Sequence, residues 1–186
     1  HDITLSDPEN VNPHIDAFQT WDEDVLKAGN NCLFEKNKII LGYDTAGFQL
    51  AGAAHDLTIR NNIIQAFAGI RAYKRSASPY TSPSNLFVLN NLFIGNLTDT
   101  NWPVGVTIAD TTNVVVKNNI FYNQADYVID IANSTGIDVK NNLAYNSNGS
   151  VPKSPIGASM LTNLWNINPL FVNAGAGNYH LQAGSP

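Results

Sequence analysis

The chain is poor in sulfur and in charge. Of 186 residues one is cysteine and one methionine, and charged side chains make up only 13%. A single thiol, Cys32, closes no internal disulfide and is too little for a cysteine-based metal site, so it reads as a core residue. Ten Lys and Arg against fifteen Asp and Glu leave a formal net charge of -5 and a pI near 5.1. That balance excludes a general phosphate-binding surface, because nonspecific nucleic-acid affinity comes from many cationic contacts. Apolar runs fall short of the roughly 20 residues a membrane span requires, and no basic-then-apolar signal segment opens the chain. A capped amphipathic helix pattern is missing throughout.

What the chain has instead is asparagine, glycine, serine and threonine, around a hydrophobic content of 44% that fits one folded domain over residues 1–186. One motif recurs five times: CLFEKN (Cys32 to Asn37), LTIRNN (Leu57 to Asn62), LFVLNN (Leu86 to Asn91), VVVKNN (Val114 to Asn119) and IDVKNN (Ile137 to Asn142). The final asparagines are 25, 29, 28 and 23 residues apart. Within each copy apolar residues alternate with variable ones, the period of a strand. A second set of segments, AFQTW, GFQLA, GIRAY, GVTIA and VIDIA, aligns by the same alternation, with Phe18, Phe48, Ile70, Val106 and Ile129 in one inward column. A weaker third strand follows the asparagines. Strands repeating at this interval are satisfied when the chain coils so that each rung pairs with the next, which makes the expected fold an all-β parallel β-helix of about six rungs. The repeated Asn37, Asn62, Asn91, Asn119 and Asn142 are then expected at one turn of every rung, tolerating left-handed backbone and pairing their amides into a ladder.

The rung motif xVxxNN, over Asn31 to Asn146, resembles the right-handed parallel β-helix of the pectate-lyase-like superfamily, and within it the bacterial extracellular β-helix repeat proteins. The ending NPLFVNAGAGNYHLQAGSP (Asn168 to Pro186) is similar to the segment that closes such domains, so residues 163–186 are expected to be a closing segment. The opening HIDAFQTW resembles the His-x-Asp-x-x-Gln pattern of an N-terminal rung in that group. The resemblance implies an extracellular or cell-surface, carbohydrate-facing role, with polysaccharide as partner. It does not by itself choose between binding and cleavage, since one fold hosts many functions. The chain opens on DITL, itself strand-like, so further rungs upstream, a cap or another subunit is expected at that end, as part of a longer polypeptide.

Placed on the repeat, the second strand presents Gln19, Gln49, Arg71, Thr107 and Asp130 outward, one per rung. Arg71 is followed by Tyr73, Lys74 and Arg75, a basic cluster in an acidic protein. Arginine binds a carboxylate through two parallel hydrogen bonds, so this column suits a polyuronate. In β-elimination the same contact would ease removal of the adjacent C5 proton, with Lys74, Arg71 or Tyr73 as base. The competing reading makes Lys74 and Arg75 the start of a solvated loop. His14, Asp16, Gln19 and Trp21 form a second candidate, an acid/base or substrate-binding set with Trp21 stacking on a sugar; Asp16 could equally bond turn amides. Asp16, Asp22, Glu23 and Asp24 could offer oxygen to calcium, although they lack the glycine-spaced pattern of a dedicated loop. His55 and His180 stand alone, without the spacing of zinc ligands. Asp110 and Asp130 are the acids with a case for glycoside hydrolysis, which needs two facing one bond. Asn96, Asn133 and Asn148 begin glycosylation-type triplets. The functional expectation is therefore a noncatalytic carbohydrate-binding module or enzyme fragment, then a lyase on an acidic glycan, then a hydrolase.

Overall fold

Each copy of the rung motif folds as a six-residue strand, a two-residue corner and a short second strand. The computed structural model describes residues 2–5, 16–21, 29–41, 46–74, 81–96, 104–147 and 162–186. In chain order, β1 (Asp2–Leu5) is followed by five triplets: β2 (Phe18–Thr20), β3 (Asn30–Glu35) and β4 (Lys38–Leu41); β5 (Ala46–Ala51), β6 (His55–Arg60) and β7 (Ile63–Gln65); β8 (Ala68–Tyr73), β9 (Ser84–Leu89) and β10 (Leu92–Ile94); β11 (Val104–Ala109), β12 (Thr112–Lys117) and β13 (Ile120–Tyr122); β14 (Ile129–Ala132), β15 (Thr135–Lys140) and β16 (Leu143–Tyr145). β17 (Leu164–Trp165), β18 (Phe171–Asn173), a 3₁₀ turn over Ala174–Ala176 and β19 (Asn178–Leu181) complete the chain.

Strands β1 to β17 pair between coils into three parallel sheets: sheet A (β1-β4-β7-β10-β13-β16-β17), sheet B (β2-β5-β8-β11-β14) and sheet C (β3-β6-β9-β12-β15). The protein is a parallel β-solenoid. Its register equates the positions that alternation aligns: Phe18 with Phe48, Phe48 with Ile70, Ile70 with Val106, and Val106 with Ile129. One hydrophobic core runs through the coils, from Ile39 to Ala144, with Cys32 and Trp165 packed against it. Aromatic residues stack along it at neighbouring levels: Phe93 and Phe121 lie 4.9 Å apart with rings 9° from parallel. Room for these rings comes from Gly69 and Gly105, where a Cβ would come within 2.4 Å and 2.5 Å of Phe93 and Phe121 carbons respectively.

The corner between the second and third strands holds the asparagine ladder. Asn119 shows the pattern: its Oδ1 accepts from the Asn91 backbone N–H at 2.9 Å and from Asn91 Nδ2 at 3.1 Å. Its Nδ2 donates to Asn142 Oδ1 and to the Val88 carbonyl, both at 2.9 Å. Every side-chain donor and acceptor is thereby used, which is what burial of an amide demands. The ladder runs from Asn37 through Asn62, Asn91, Asn119 and Asn142 to a sixth member, Asn163, which the motif does not reveal. The left-handed backbone expected of the ladder residues belongs instead to the residue before each one: Lys36, Asn61, Asn90, Asn118 and Asn141 have φ of 55–57°. The chain turns the corner on the first residue of the pair and seals it with the second.

Residues 163–186 pack in two places. Asn163 and β17 extend the ladder and sheet A by one level. The antiparallel hairpin β18–β19 then folds back along the outer face of sheet A, where Phe171 and Tyr179 meet the Tyr122 ring edge-on at 5.4 Å and 6.3 Å.

Candidate functional site

On the outer face of sheet B the structure assembles the polar column. Gln19 is in register with Gln49, Gln49 with Arg71, Arg71 with Thr107, and Thr107 with Asp130. Strands about 4.8 Å apart carry the row from neutral amides through a cation and a hydroxyl to an anion. Arg71 lies two strands from Asp130, beyond direct pairing. Its guanidinium carbon sits 5.4 Å from the centre of the Phe67 ring, a cation–π contact.

Among the described residues, Arg71 has no carboxylate partner. Exposed Lys38 on β4 likewise has none among the described residues, whereas the cations of sheet C contrast with both. Arg60 is held by Glu35 through Nε at 2.9 Å and Nη2 at 2.8 Å. Lys117 and Lys140 both bind Asp138, at 2.6 Å and 3.0 Å, and their hydrogen bonds hold its carboxyl below the usual carboxylate range. Sheet C thus carries neutralised pairs, while the Arg71 guanidinium on sheet B is uncommitted and, unlike the exposed Lys38 and Lys74, is oriented by an aromatic ring.

The remaining candidates separate. Gln49, expected to face solvent, is only 4% exposed, and its Nε2 donates to Tyr73 Oη at 3.2 Å, so its amide serves the phenol above it. Tyr73 stands two residues from Arg71 on the same face, flanked in register by Ala51 and Ala109, whose small side chains leave room for the ring. Lys74 is exposed, immediately past the end of β8. Asp16 Oδ1 accepts the Ala46 N–H at 2.9 Å, tying the approach to β2 onto the start of β5, the turn-amide role. Trp21, just past β2, is 39% exposed. His14, Asp22, Glu23, Asp24 and Arg75 lie outside the described residues, as does Asn148. Among the described residues no group of three His, Cys, Asp or Glu side chains is arranged to hold a metal ion. Asp110 takes a left-handed corner with φ of 51°, while Asp130 lies within β14.

A second feature has no counterpart in the sequence reading. Where the hairpin folds back, an open cleft of about 630 Å³ lies between the sheet A corner, with Asn61, Asn90, Ile63 and Leu92, and the opposite wall at Tyr179 and His180. Burial and the neighbouring Tyr122 push the Tyr179 hydroxyl up, so it keeps its proton well into the alkaline range. The signal that could have pointed here is the doubled asparagine: one member seals the corner and the other is left outside.

Comparison with protein-family models, with curated proteins and with solved structures gives no match for the chain.

Proposed function

We propose that the protein is an extracellular carbohydrate-binding β-helix module, of the right-handed pectate-lyase-like type, whose sheet B face holds an acidic glycan without cleaving it. The observation that carries this reading is the uncommitted Arg71, set in a polar row repeating at strand spacing and flanked by Thr107 and Tyr73. A guanidinium over an aromatic ring is oriented yet still has its N–H groups to offer, and a uronate carboxylate is the group such a fork fits. The row's rung-to-rung repeat is comparable to the length of one pyranose ring, so successive sugars meet successive strands. Binding rather than cleavage is favoured by Lys74, which is exposed past the strand end, and by Gln49, whose amide already serves Tyr73.

The lyase alternative rests on Tyr73, which shares the outer face with Arg71 and would be the base nearest a bound uronate. One experiment treats both. Calorimetric titration with pectate, alginate and a neutral glucan, with and without calcium, is expected to show binding to the uronate polymers alone. Arg71→Ala should weaken it roughly tenfold or more, the loss of one charge-assisted contact. Binding undiminished in Arg71→Ala, or no binding to any uronate polymer, overturns the proposal. Near-ultraviolet absorbance of an unsaturated uronate in the same samples would replace it with the lyase.

A further inference from the structure

Elsewhere among the described residues corner side chains also stack at rung spacing, and there they use each other, as Thr111 and Ser134 do at 3.2 Å. Asn85 Nδ2 donates to Asp56 Oδ1 and Asn113 Nδ2 to Asn85 Oδ1, at 2.7 Å and 2.6 Å. Asn146 Nδ2 donates to Asn123 Oδ1 at 2.6 Å. The row formed by the first asparagines of the NN corners does not do this. Asn61 and Asn90 are exposed, hold left-handed backbone, and have no side-chain hydrogen bond among the described residues. Yet they stand on adjacent coils, one strand spacing apart, as Asn85 and Asn113 do. Both rim the cleft of about 630 Å³.

We infer that this cleft, between the NN corners and the C-terminal hairpin, is a binding site for a neutral saccharide, separate from the sheet B face. Its size falls within the range of small-ligand sites, roughly 300–1,000 Å³. Its composition sets the ligand class. No Lys, Arg, Asp or Glu lines it, so it holds no permanent charge to compensate one that would lose water on entry. Ile63, Leu92 and Ile120 give it an apolar side, which suits the C–H face of a sugar ring. Two free amides, each both donor and acceptor, suit hydroxyl groups, which are also both. Opposite them Tyr179 contributes a ring held by Phe171 at 5.3 Å and Tyr122 at 6.3 Å, so that wall is set before a ligand arrives. A smaller cleft of about 340 Å³, lined by Asn141, Leu143 and Ser185 among others, shares Ile120 with it.

The inference does not depend on the sheet B reading, and the test scores the two apart. Isotope-labelled protein is titrated with maltose, cellobiose, lactose and digalacturonate while amide signals are followed by NMR. At least one neutral disaccharide is expected to shift the side-chain amides of Asn61 and Asn90 and the backbone signals of Tyr179 and His180. Signals of Arg71 and Thr107 report separately on sheet B. The double variant Asn61→Gly with Asn90→Gly keeps residues that accept positive φ while removing both amides, and should weaken binding about tenfold or more. Should that variant misfold, as dispersion of the Asn62 and Asn91 ladder signals would reveal, His180→Ala at an exposed position of the opposite wall serves instead. It should lower affinity roughly threefold. The inference is overturned if no neutral disaccharide shifts the cleft signals, if affinity is unchanged in the variant that folds, or if digalacturonate occupies the cleft in preference.

Discussion

Replacing Asn119 by alanine isolates what the ladder contributes. Asn119 is 1% exposed, and its side chain makes four hydrogen bonds, two on each amide atom. Truncation leaves the Asn91 backbone N–H and one Asn91 Nδ2 proton without acceptors, and the Val88 carbonyl without a side-chain donor, in a corner that water does not reach. At about 1–3 kcal/mol for each stranded buried group, two stranded donors plus the small cavity predict a loss of about 3–6 kcal/mol. That is a large part of the total stability of an ordinary domain, roughly 5–15 kcal/mol. Asn37 is the internal control. It donates through its N–H and Nδ2 to Asn62 Oδ1 at 3.0 Å and is only half-buried. In Asn37→Ala the backbone N–H still satisfies Asn62 Oδ1, so the loss should be about 1 kcal/mol or less. Urea unfolding would separate the two: with a slope of roughly 2 kcal/mol per molar, Asn119→Ala should lower the midpoint by about 2 M and Asn37→Ala by less than about 0.5 M. Hydrogen exchange adds a local readout, since the Asn91 amide should lose protection in Asn119→Ala. Equal losses for the two variants would refute the reasoning, because desolvation distinguishes an interior member from a terminal one and simple loss of a side chain does not.

Gly69→Ala should destabilise by about 1–3 kcal/mol or more, the cost of overpacking, because its Cβ would fall 2.4 Å from both the Gly105 carbonyl oxygen and Phe93 Cδ1; a melting temperature unchanged from the parent would contradict the tight stacking of Phe93 beneath it. Asp138 has its folded pKa depressed by Lys117 and Lys140, so the stability it adds is present above the unfolded value near 3.9 and is lost as pH falls through the lower folded value. On a surface strand this should amount to at most about 1 kcal/mol, and carboxyl NMR of the double variant Lys117→Met with Lys140→Met should show Asp138 titrating higher than in the parent. Tyr179 has its folded pKa raised, which has the opposite sense: its contribution is intact below the unfolded value near 10 and falls away as pH rises from there through the folded value. Phenolate absorbance should therefore show a late-ionising tyrosine step, and Tyr179→Phe should abolish it.

The scaffold was written into the sequence at two levels. Alternation within each segment names the inward column, and the interval between NN corners gives the strand-to-strand register, because in a solenoid a contact between coils is a contact one repeat away. Phe48 over Ile70 and Asn91 over Asn119 need nothing more. What local pattern leaves out is whatever depends on a neighbour outside the repeat. Asn163 joins the ladder although its surroundings, LTNLWN, lack both the doubled asparagine and the preceding alternation. The hairpin β18–β19 docks sideways on sheet A through Phe171 and Tyr179, a placement fixed by Tyr122 some fifty residues earlier and by no feature of the hairpin itself. At the candidate site the column was legible and the accessibility was not: Gln49 alternates outward, yet the Tyr73 phenol of the next coil takes its amide.

That distinction gives a way to look for function in a protein built from so many amides. Abundance of asparagine is no guide, because the ladder and two of the outer corner rows spend their side chains on the fold. A polar group that the fold consumes is fixed in place but has no bonds to give. A polar group that the fold positions and leaves without a partner retains both its geometry and its hydrogen-bonding capacity. Only the second kind can recognise a ligand at low cost in lost side-chain freedom. Arg71 meets the condition because strand β8 sets its height and the Phe67 ring its direction, with no carboxylate among the described residues to neutralise it. Asn61 and Asn90 meet it because the left-handed corner fixes their backbone while their amides stay free. Arg71 lies on sheet B and Asn61 and Asn90 at the corner between sheets C and A, so the two proposed sites would be independent surfaces, and a glycan carrying both acidic and neutral sugars would be held at two points rather than one.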